Sequence, residues 1–134
     1  MGDLDAPHTW TAGADVARLA ARLACEPQGS VAWGQAWHVP SAPARSMAQV
    51  AQDVAELVGL PARRPHRLPT PLVDAIGVVY PLLRELKETR HQFERPFVLD
   101  SHRAEEAFGL APTAWEVTLR QTVDELRAAS ATAA

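Results

Sequence analysis

Cysteine is almost absent. Cys25 stands alone in 134 residues, so no internal disulfide framework and no thiolate metal cluster can form. The five histidines, His8, His38, His66, His91 and His102, give no i,i+3 or i,i+4 pair on an expected helix, and no His-Glu-x-x-His pattern occurs. Gly13, Gly29, Gly34, Gly59, Gly77 and Gly109 are isolated from one another, which excludes a glycine-rich loop able to cradle a pyrophosphate. No apolar run approaches the roughly 20 residues that cross a bilayer, and no basic stretch leads into an apolar one near Met1. Charge of one sign is lacking too: 13 Lys and Arg against 16 Asp and Glu leave −3, with no basic field for nucleic acid or anionic lipid. There is no internal repeat and no sustained heptad pattern. These absences predict a soluble, cytoplasmic chain that contacts neither nucleic acid nor membrane.

What remains is 47% hydrophobic, enough for one modest core and too little for two full domains. Asp15 reads as the N-cap of a helix running to about Cys25, with Val16, Leu19, Ala20, Leu23 and Ala24 on one face. Trp33 to Val39 reads as a strand buried on both faces, because polar alternation is slight. Ser46-Met-Ala-Gln49 is a capping-box pattern that opens a second helix, and Gly59 sits where a C′ glycine belongs. Residues 62–68 are Arg-rich and interrupted by Pro65, at best an edge strand. Thr70 and Pro71 open a third helix that Pro81 kinks and that continues to Arg90. Phe97 to Leu99 reads as a short strand. Asp100 or Ser101 then caps a two-turn helix closed by Gly109, and Thr113-Ala-Trp-Glu116 is a second capping box before the last helix. The expectation is α/β: five helices with three or four short strands in a single domain over 1–127. A disordered, alanine-rich tail is expected over 128–134.

Three residue groups carry possible chemistry. Arg63-Arg64-Pro65-His66-Arg67 is the local basic cluster and could meet a phosphate, though a charged edge strand kept from pairing needs no ligand. Glu85, Glu88, Arg90, His91 and Glu94 combine carboxylates with a proton carrier, as an acid/base pair requires; a solvated helix face uses the same residues. Trp33 and Trp37 share a face of the expected strand and His38 the other, where core packing is the plainer use.

Four motifs, taken in order, resemble the C-terminal, substrate-binding portion of an extended short-chain dehydrogenase/reductase, the NAD-dependent epimerase/dehydratase family. They are Pro7-His-Thr-Trp-Thr11 with Asp15-Val-Ala-Arg18, Gly34-Gln-Ala-Trp-His-Val-Pro40, the run Glu85 to Asp100 followed by Phe108-Gly109, and Pro112-Thr113. The resemblance spans about Gly2 to Leu126 and implies a substrate lobe without its Rossmann half. It points to Trp10, His38, Arg90, His91 and Arg95 as substrate-side residues of a sugar or nucleotide-sugar oxidoreductase. Ala12-Gly-Ala14 replaces the family's aromatic residue and proline, and His91 its common tyrosine. The family's Tyr-x-x-x-Lys pair is missing: Tyr80 is the only tyrosine, and position 84 is Arg. NAD or NADP is thus implied for the full-length family, with no cofactor bound and no catalytic residue supplied by this chain alone. The implied partner is a polypeptide carrying the Rossmann half, or a second copy. The alternative is a stand-alone interaction or small-molecule-binding module, homodimeric or docked on a partner subunit.

Overall fold

The computed structural model describes residues 3–66, Pro71, Ile76 and 94–132. Among them the fold is small and α/β, with four helices and one two-stranded sheet. In chain order these are β1 (Pro7–His8), α1 (Gly13–Ala24), β2 (Arg45–Ser46), α2 (Met47–Leu57), α3 (His102–Phe108) and α4 (Trp115–Thr132). The chain divides into two compact units, one of Met1–His8 with Ala44–Val98 and one of Thr9–Pro43 with Leu99–Ala134.

In the first unit β1 and β2 pair antiparallel, with Pro7 opposite Ser46 and His8 opposite Arg45. Phe97 adds one parallel bridge to His8, its N–H donating to the Pro7 carbonyl at 2.9 Å. Proline in β1 is tolerable because the strand is only two residues long and needs few ladder donors. The expected capping box on α2 is present. The Gln49 N–H donates to Ser46 Oγ at 3.2 Å, and the Ser46 N–H donates to Gln49 Oε1 at 2.8 Å. The far end closes as a Schellman motif, with the Leu60 N–H on the Ala55 carbonyl and the Gly59 N–H on that of Glu56. Gly59 has φ +70°, the left-handed region where a Cβ is penalised.

The second unit holds α1, α3 and α4 around Leu19, Ala32, Pro40, Ala104, Trp115 and Leu119, which are buried. Small residues make up much of that core. Gly109, at φ +63°, ends α3 as expected.

Several sequence expectations change. Asp15 is not a cap: α1 begins two residues earlier, and the Ala12 carbonyl takes the Asp15 and Val16 N–H groups. Residues 33–39 are turn and coil rather than strand. Each indole there bonds a nearby carbonyl, Trp33 that of Pro27 and Trp37 that of Ala32, so local polar closure replaces a ladder. Residues 62–66 form no strand, and Phe97 to Leu99 reduces to the single bridge at Phe97. The expected Thr113–Glu116 box is not used, because the Thr113 hydroxyl is engaged by Asp15. The helix α4 extends through Thr132, into the stretch read as tail. Alanine is the strongest helix former, and the Ser130 and Thr132 hydroxyls donate to the carbonyls four residues back. Of the third expected helix only Pro71 and Ile76 are described, and both are helical; the rest lies outside the described residues.

Candidate functional site

Two polar joints organise the second unit, and both unite motifs far apart in sequence. The first is built on Asp15. A first-turn carboxylate on α1 suits the positive end of the helix, yet only 2% of its surface is exposed, so it needs partners. It has three. The Thr113 N–H donates to Oδ2 at 2.8 Å, the Thr113 hydroxyl donates to Oδ1 at 2.5 Å, and the Arg18 guanidinium donates to Oδ1. Arg18, one turn along the same face, also reaches the Ala111 carbonyl and Thr113 Oγ1, each at 3.1 Å. Burial by itself would raise the carboxyl's pKa. The Thr113 hydroxyl and N–H, and then Arg18, outweigh it and hold Asp15 below the ordinary 3.8. Asp15 is therefore an ionised structural anchor and no proton donor at neutral pH.

The second joint is built on Trp37 and His38. Trp37 meets Phe108 edge-on, with centroids 4.7 Å apart at 68°, and Arg103 stacks over its ring at 4.5 Å. Gln35 Oε1 accepts from Arg103 at 3.2 Å and fixes that guanidinium. His38 is exposed, and its Nδ1 lies 2.8 Å from the Asp100 carbonyl. A carbonyl only accepts, so Nδ1 carries the hydrogen and Nε2 of the neutral ring keeps its lone pair. His38 Nε2 can thus accept a hydrogen bond from a ligand hydroxyl.

Of the other expected site residues, Trp10 lies half-buried in the second unit, and Arg95 is exposed in a bend of the first. Arg90 and His91 lie outside the described residues. Sequence reasoning named Arg18 and Thr113 only as parts of motifs, without their joint with Asp15, and passed over the role of Arg103. The i,i+3 spacing of Asp15 and Arg18 was the available signal for the first, while Thr113 and Arg103 become legible only through long-range contacts. Among the described residues no group of three or more His, Cys, Asp or Glu is placed to hold a metal ion. No described helix is long and apolar enough to cross a membrane.

No protein-family model, curated protein or solved structure matches the chain.

Proposed function

We propose that this chain is the C-terminal, substrate-side portion of an NAD(P)-dependent epimerase/dehydratase-like oxidoreductase acting on a sugar or nucleotide sugar, and that it is not catalytically competent alone. The observation that carries the reading is the pairing of its motifs. Asp15 bonds Thr113, Trp37 packs on Phe108, and His38 meets Asp100, so all four motifs that suggest the family have residues in these contacts or beside them. His38, whose Nε2 can accept, and half-buried Trp10 are the substrate-side groups this reading draws on among the described residues of the second unit.

The starts of α1 and α2 do not fit a dinucleotide pyrophosphate. The start of α1 holds the Asp15 carboxylate, which would repel a pyrophosphate, and the start of α2 is closed by its own cap and by the Leu4 carbonyl, which accepts from the Ala48 N–H. No hydride step is assigned to this chain. The Rossmann half is the partner the reading requires, bringing the cofactor with it.

A second reading, a stand-alone module that homodimerises, draws on exposed apolar side chains: Val31, Leu60, Val98 and Leu126 are each more than half exposed. Sedimentation with a dye that reports apolar surface separates the two. The first reading expects dye binding and self-association without fixed stoichiometry. A single compact homodimer that melts cooperatively and binds no dye would overturn it in favour of the module.

A further inference from the structure

The first unit contains a groove of about 570 Å³ bordered by Asp5, Ser46, Gln49, Gln52, Arg63 and Arg64. Its chemistry is that of an anion receptor. Two guanidinium groups supply charge and forked donors that match phosphoryl oxygens. Gln49 spends its amide oxygen on the Ser46 N–H, so the amide nitrogen is what it can offer a ligand, and Gln52 is an exposed amide beside it. The α2 terminus is not the receptor, since the Gln49 and Ala48 N–H groups are already bonded.

The Asp5 carboxylate shows how an anion sits there. It contacts Arg64 at 2.5 Å, and both side chains are about two-thirds exposed, so this pair is weak enough for a stronger anion to displace. Arg63 has no ion-pair partner among the described residues. The same Arg63 borders a second, apolar groove of about 420 Å³ lined by Ala51, Val54, Val58 and Leu60. The two grooves thus share one arginine, the polar one offering donors and the other a hydrocarbon surface.

We propose that these two grooves, which share Arg63, together bind a phosphomonoester with an apolar substituent, the phosphoryl group on Arg63 and Arg64 and the substituent along α2. The site stands apart from the proposed family reading, which it neither needs nor supports. The test is a titration of the full chain with inorganic phosphate and with butyl phosphate, followed by amide NMR shifts at constant ionic strength set with chloride. Saturable shifts at Ser46, Gln49, Arg63 and Arg64 are expected, with butyl phosphate binding about fivefold more tightly through partial burial of its methylene groups. Arg63→Gln and Arg64→Gln should each weaken binding several-fold. Asp5→Asn should strengthen it, by up to about fivefold, because it removes the internal competitor. Shifts that chloride reproduces, or affinities unmoved by all three substitutions, would overturn the proposal. Equal affinity for the two phosphates would overturn its apolar part.

Discussion

The Asp15 carboxylate is buried, charged and surrounded by three donors from two residues, and that combination makes its removal expensive. Asp15→Ala takes the acceptor from the Thr113 N–H and hydroxyl and the ion-pair partner from Arg18, which is half exposed and keeps the Ala111 carbonyl and Thr113 Oγ1. The expected loss is about 2 kcal/mol, read by urea denaturation with tryptophan fluorescence. A loss below about 1 kcal/mol would mean that water replaces the carboxylate without penalty. The same group sets an acid limit. Its folded-state pKa is below the unfolded value near 3.8, so its stabilisation is fully present above that pH and is lost as pH falls through the folded value. Asp15→Asn should therefore flatten the fall in stability below pH 3.8 and leave the slope at neutral pH unchanged. This role was not visible in the sequence: an Asp before an apolar helical pattern reads as a cap, and only the approach of residue 113 shows otherwise.

Among the elements, α2 shows where local chemistry suffices. Its capping box and closing glycine were both legible, because each device involves residues within one turn of the helix end and needs no tertiary partner. Ser46→Ala should cost about 1 kcal/mol by loss of the cap. Gly59→Ala should cost a similar amount, about 1 kcal/mol, through backbone strain alone, since a Cβ there meets nothing within 4 Å. Thermal denaturation of both variants checks the pair, and a Gly59→Ala protein as stable as the parent would refute the Schellman assignment. The region around Trp33 to Val39 shows the opposite case. Its apolar, aromatic composition reads as a strand, but the indole N–H groups find carbonyls within six residues, and Trp37 instead faces α3. Composition gave the burial tendency of Trp37 and could not give its partner. The end of α4 fails for another reason, since alanine is compatible with both a tail and a helix.

At the scale of the whole chain, large apolar side chains stand uncovered among the described residues, Val31 at 91% and Leu126 at 63% exposure among them. A chain meant to be covered by another polypeptide would carry such surface, and the family reading supplies a reason for it. The α/β class was legible from periodicity, whereas among the described residues four helices and one two-stranded sheet stand against the expected five helices and three or four strands, because strand pairing is long-range. The reading that this is the substrate side of a larger oxidoreductase makes its sharpest commitment on the cofactor. The deciding measurement is titration of the isolated chain with NADH and NADPH, following nicotinamide fluorescence. No saturable change beyond what Arg63→Gln abolishes is predicted up to millimolar concentrations. One-to-one binding at micromolar concentration that survives Arg63→Gln would contradict the account.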